Sequence, residues 1–140
     1  MKLVRDCTTL LLAAALPALL SLWLHPRRPA MTWSKPEIAE VELSTAMQWR
    51  DTAIWIDARN AHDYATRHIP GAISLNQAAW ENLLPGLLAA WQPDKKIVVY
   101  CDSEKCDASA EVARRLQREL NFSDIYVLKG GWAAWLQIHR

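Results

Sequence analysis

Two of the chain's three cysteines, Cys101 and Cys106, share one turn of the stretch KKIVVYCDSEKCDASAEVARRL, residues 95–116. A thiolate is both a nucleophile and a metal ligand, so paired thiols admit three readings: reactive chemistry, a local bridge, or ordinary turn residues. Two cysteines without a nearby pair of histidines or further cysteines make half of a zinc site, and no metal is expected. Three cysteines are also too few for a disulfide scaffold, and Cys7 lies elsewhere, near the start. The run KIVVYC has the continuous apolar character of a buried strand. DASAEVARRLQREL has helical periodicity, with Val112, Ala113, Leu116 and Leu120 on one face and Glu111, Arg114, Arg115 and Arg118 largely opposite. Cys101 therefore stands at the carboxyl end of a strand, where open α/β sheets bind ligands. The helix start near residues 107–110 points free N–H groups back at the loop, which favours an anion and can lower a thiol pKa from its ordinary value of about 8.5. Lys105 works in the same direction, whereas Asp102, Glu104 and Asp107 oppose it if they point inward.

The elements that must position this loop alternate in type. STAMQWRD opens on Ser44 and Thr45 as candidate N-caps and continues as a short helix. AIWID, residues 53–57, is a buried strand ending in a polar residue. AHDYATRH is a short helix stopped by Ile69, Pro70 and Gly71, and AISLN is the next strand. QAAWENLLPGLLAAW is helical, with an interruption expected at Pro85 and Gly86. After the cysteine loop and its helix come a strand, DIYVLK, and a turn with a closing helix, GGWAAWLQIHR. Alternation of this kind predicts an α/β domain with a central parallel sheet flanked by helices. Gly71 and the Gly130–Gly131 pair supply turns that other residues resist.

The domain is expected over residues 38–140, since 140 residues, about half of them apolar, suit one core. Residues 8–24, TTLLLAAALPALLSLWL, carry no charge. As a helix they would span roughly 26 Å, slightly under the ~30 Å hydrocarbon core. A membrane anchor over residues 1–25 is expected, touching lipid through residues 8–24, with an N-terminal signal peptide as the rival reading. Lys2 and Arg5 on one side compete with Arg27 and Arg28 on the other, so the sequence leaves the orientation open. Residues 26–37, rich in proline, read as a linker. A formal net charge of +1 and the lack of a basic stripe give no ground for nucleic-acid binding.

Asp57-Ala58-Arg59, then His68-Ile69-Pro70-Gly71-Ala72, a strand-end cysteine and Gly130-Gly131-Trp132, in this order, resemble a single rhodanese-homology domain. The resemblance implies a cysteine that accepts a sulfane sulfur as a persulfide, and its position here is Cys101. It implies no metal or organic cofactor, a sulfane-sulfur donor, and a thiol or protein acceptor. Residues Asp102, Ser103, Glu104, Lys105, Cys106 and Asp107 correspond to the loop that cradles the outer sulfur. Departures are visible in that loop, which has neither glycine nor arginine, and whose helix-starting Ser109 stands eight positions after Cys101. A sulfonate donor wants fixed cations and Lys105 is the one local candidate, so thiosulfate is not the expected donor. Related phosphatase loops place an arginine six positions after the cysteine, where this chain has Asp107, and phosphatase chemistry is not expected. Cys106 is open between a resolving or relay thiol, a dithiol switch without sulfur transfer, a half-buried turn residue and, by a shift of register, the nucleophile itself. Asp57 and Arg59 are expected to form a buried ion pair or brace a turn, and His68 to pack in its loop.

Overall fold

A computed structural model of the protein describes residues 37–103 and 106–139. In chain order the elements are β1 (Ala39–Val41), α1 (Leu43–Gln48), β2 (Ala53–Asp57), α2 (Ala61–Thr66), β3 (Ile73–Ser74), α3 (Trp80–Ala90), β4 (Lys96–Tyr100), α4 (Ala108–Leu120), β5 (Ile125–Leu128) and α5 (Gly131–Ile138). A 3-10 turn, Arg50–Thr52, leads into β2. The strands pair in the order β1-β5-β4-β2-β3 and every pairing is parallel. Helical crossovers join them, as parallel pairing requires.

Strand β4 is central, and its side chains alternate between two cores. Ile97 and Val99 pack with Ile54, Ile56, Leu87, Val112 and Leu116, so α3 and α4 cover this face. Val98 and Tyr100 pack with Leu43, Ala46, Leu128 and Trp135, so α1 and α5 cover the other. Each fully buried aliphatic side chain contributes about 1.5–3 kcal/mol, and both faces of the sheet carry them. Cys101 continues the odd-numbered face of β4 and belongs to the α3/α4 core. The α/β architecture with a helix-flanked parallel sheet thus follows from the alternation of strand and helix signals.

Several local expectations are corrected. β1 was not legible as a strand: of its three residues only Val41 is buried. Ser44 and Thr45 lie inside α1, whose extended N-cap residue is Glu42. β3 is two residues long, not five. Pro85 does not interrupt α3 but sits inside it. Proline at the sixth helical position removes a single rung of the hydrogen-bond ladder, and Leu87 and Trp80 hold the helix to the core on either side of it. The expected anchor over residues 8–24, and the linker over residues 26–37 apart from Glu37, lie outside the described residues. Among the described residues no helix is long and apolar enough to cross a membrane.

Candidate active site

At the carboxyl edge of β4 the Cys101 side chain turns toward the start of α4. The residue is 1% exposed. Its Sγ lies 3.4 Å from the Ser109 hydroxyl, and the Ser109 backbone N–H also reaches it. The thiol donates to the carbonyl oxygens of Cys106 at 3.2 Å and Ser103 at 3.6 Å. Cys106 is half-buried and packs against the same core. Both cysteines are free thiols. Asp102 and Ser103 are exposed, as is Asp107, the N-cap residue of α4, whose side chain makes no capping bond. Glu104 and Lys105 lie outside the described residues.

Two influences compete for the proton on Cys101. Burial pushes its pKa up, and the Cys106 thiol adds to that, while the Ser109 hydroxyl and N–H pull it down. Burial wins, and the thiol is pushed up to about 11. A raised acidic pKa means that the folded state holds its proton more tightly than the unfolded chain. Its contribution to stability is therefore full below about pH 8.5 and is lost as the pH rises through the folded value of about 11. Urea midpoints measured from pH 7 to 11 should fall more steeply for the wild-type chain than for Cys101→Ser. Parallel curves would show that burial does not govern this thiol.

The backbone of the loop is gripped from the other side. The N–H groups of Trp132 and Ala133, in the first turn of α5, donate to the carbonyls of Cys101 at 2.7 Å and Asp102 at 3.0 Å. Gly131 makes this approach geometrically feasible: a Cβ there would stand 2.3 Å from the Cys101 carbonyl oxygen. The α5 terminus therefore spends donors on fixing the loop.

On the α1/α5 face of the same edge, Asp57 and Arg59 form a buried bidentate pair, with Nη2 to Oδ2 at 2.7 Å and Nε to Oδ1 at 3.0 Å. The Arg59 amide also donates to Asp57 Oδ1, and Nη2 reaches the Arg67 carbonyl. Tyr100 stands opposite Asp57 in the sheet register and donates its hydroxyl to Oδ2 at 2.8 Å. The same oxygen of Tyr100 accepts the Ile69 amide. Burial raises the Tyr100 pKa well above its ordinary range and the Asp57 hydrogen bond adds to this, against the Ile69 amide. Burial pulls the Arg59 pKa down, but the hydrogen bonds and charge of Asp57 outweigh it and the net shift is upward. The guanidinium lies 4.7 Å from the Trp132 ring centre and 3.7 Å from the Asp102 carboxylate, so this network abuts the cysteine loop. His68 packs within its own loop, stacked on Tyr64 with Nδ1 at the Tyr64 carbonyl.

The sequence reading named neither Tyr100 nor the α5 amides as part of the site. A tyrosine hydroxyl in a buried strand needs a partner, which was the available signal for Tyr100. An open cleft of about 360 Å³, walled by Arg59, Arg67, Asp102 and Trp132, borders the loop. Among the described residues no group of three or more His, Cys, Asp or Glu side chains could hold a metal ion.

Residues 40–138 match the family described as Rhodanese-like domain. Over 83 residues the chain is 32% identical to the thiosulfate sulfurtransferase GlpE of Stutzerimonas stutzeri, covering 59% of this chain and 70% of that protein. Over 100 residues it is 30% identical to the M-phase inducer phosphatase of Emericella nidulans, covering 64% of this chain but 18% of the phosphatase. The chain thus spans less than a fifth of that much longer relative. Among solved structures, the BH2092 protein of Bacillus halodurans superposes with a TM-score of 0.60 at 24% identity, covering 72% of this chain and 73% of that one. A rhodanese-related protein of Thermoplasma volcanium does so with a TM-score of 0.55 at 17% identity, covering 71% and 92%. Those two likenesses establish the shared fold. The match over residues 40–138, with the parallel sheet and strand-end thiol described above, settles the relationship: this chain belongs to the rhodanese-like domain family.

Proposed function

We propose that the protein is a sulfurtransferase or persulfide carrier that holds a sulfane sulfur on Cys101. At family level the rhodanese-like relatives, a thiosulfate sulfurtransferase among them, support a sulfurtransferase or persulfide-related role. The observation that carries the assignment to Cys101 is its place: a thiol at the carboxyl end of the central strand, against the Ser109 hydroxyl and N–H at the start of α4. Its thiolate attacks the outer sulfur of a donor persulfide, the donor thiolate leaves, and the transferred sulfur remains on Cys101. Thiolate is the minor form at neutral pH because burial raises the pKa, so loading should accelerate as the pH rises from 7 to 9.

Donor choice follows from the charges around the loop. Arg59 approaches the loop at Asp102, but its charge is already met by Asp57. A low-molecular-weight persulfide needs no cation at this loop, whereas the sulfonate of thiosulfate would have to be met by Arg67 in the wall of the adjoining cleft. The charge-free residues 8–24 support a membrane-tethered form of the same protein. Retention of the full chain in carbonate-washed membranes tests the tether, and full release into the wash rejects it.

The deciding experiment is the intact mass of the full chain after incubation with an alkyl persulfide. One added sulfur is expected in wild type or, if the persulfide is short-lived there, in Cys106→Ser; Cys101→Ser should gain none at this site. An adduct that persists in Cys101→Ser on Cys106, or no adduct in any variant, rejects the assignment. A dithiol switch without sulfur transfer is the second reading, favoured by the packing of Cys106 against the core cluster that holds Cys101. It predicts oxidation to a Cys101–Cys106 disulfide by a disulfide donor and no sulfur adduct.

A further inference from the structure

Cys106 has no role in a simple carrier, yet the loop brings it back onto Cys101. Its carbonyl stands 3.2 Å from the Cys101 sulfur, and its amide donates to the Ser103 carbonyl at 3.2 Å, closing the turn. Its side chain is half-buried in the core cluster that holds Cys101. Both thiols are free.

We infer that Cys106 is a resolving thiol, which converts the Cys101 persulfide into sulfide and a Cys101–Cys106 disulfide. This rests on the persulfide reading of Cys101 and adds an activity to it: reductive release of the stored sulfur. The Cys106 thiolate attacks Sγ of Cys101, the inner sulfur, and a Cys106–Cys101 bond forms as the inner-to-outer sulfur bond breaks. The outer sulfur leaves as hydrosulfide and takes up the proton that Cys106 gave up. By formal oxidation state the outer sulfur gains an electron and the Cys106 sulfur loses one, while Sγ of Cys101 is unchanged. An external dithiol reductant, with two electrons and two protons, returns both thiols for the next turnover.

Accessibility favours this route over attack by an outside thiol on the same sulfur. Cys101 is 1% exposed, so an outside thiol must open the loop to reach its Sγ, whereas Cys106 already packs against the core cluster that holds it. Attack from a thiol held beside its target gains the rate advantage of an intramolecular reaction. The acceptor of electrons from the reductant would then be a disulfide at the loop rather than a buried persulfide.

The test uses the full chain in a Cys7→Ser background, so that only the loop sulfurs report. The protein is loaded with an alkyl persulfide, freed of excess donor and kept without reductant while sulfide and intact mass are followed. With both loop cysteines present, sulfide release should approach one per chain as the mass loses the added sulfur and two thiol hydrogens. Cys106→Ser should keep its persulfide, with release at least about 100-fold slower, and a dithiol reductant should restore loading only in the chain that formed the disulfide. Equal persulfide lifetimes in the two proteins, or migration of the sulfur to Cys106 without a disulfide, would overturn the inference. Failure of Cys106→Ser to acquire sulfur at all, in a chain whose melting curve matches the parent, would instead reject the carrier reading beneath it.

Discussion

Asp57→Ala should cost the domain about 3–5 kcal/mol, the scale for removing one partner of a buried ion pair. The Arg59 side chain is 4% exposed and would keep its charge without the carboxylate that now takes two of its nitrogens. Tyr100 would lose the acceptor of its hydroxyl, and the Arg59 amide would lose its own. Water cannot replace these partners without opening the edge of the sheet. Arg59→Met alone leaves the carboxylate with the Tyr100 hydroxyl and the Arg59 amide, so it should cost less. The double variant Asp57→Ala, Arg59→Met removes the orphaned charge and should be more stable than Asp57→Ala. Urea unfolding of all four proteins gives the cycle. A loss below about 1 kcal/mol for Asp57→Ala, which is the range of an exposed pair, would show that the network is not an enclosed one.

That network also shows where sequence stops informing structure. Alternation in KIVVYC settles that Cys101 and Tyr100 face opposite sides of the sheet, because successive strand residues do. The order of the elements from α1 onward was equally legible, since long apolar runs and the α4 stripe carry strong periods. β1 escaped because its order comes from pairing with β5 and not from its own three residues, two of which are exposed. Pro85 misled because its helical cost depends on position, and at the sixth residue tertiary packing outweighs it. The sulfur's surroundings were least legible. A helix start predicted N–H groups at Cys101, and Ser109 provides one, but the turn also aims the carbonyls of Ser103 and Cys106 at the same atom. Carbonyl direction is a property of loop backbone angles, for which this stretch has no glycine or proline to act as a signal.

The second large effect is expected at Gly131, 30 residues from Cys101 in sequence and in contact with it in space. Its φ is +53°, and a Cβ would lie 2.3 Å from the Cys101 carbonyl oxygen and 3.2 Å from the Ser103 amide nitrogen. Left-handed backbone costs a non-glycine residue about 1–2 kcal/mol, and overpacking typically adds about 1–3. Both atoms that the methyl would meet are backbone, so no side chain can rotate away. Relief has to come from moving the loop, which stretches the bonds from the Trp132 and Ala133 amides to the Cys101 and Asp102 carbonyls. Gly131→Ala should therefore lose about 2–5 kcal/mol by urea unfolding and also slow persulfide loading at Cys101. Gly71→Ala separates the two effects. Gly71 has φ of +80° but open space around its Cβ position, so it should show the backbone cost of about 1–2 kcal/mol while loading at the parent rate. If Gly131→Ala loads as fast as Gly71→Ala, the grip of α5 on the loop does not set the position of the thiol. A selective loss of loading in Gly131→Ala would instead trace the reactivity of Cys101 to the first turn of the closing helix.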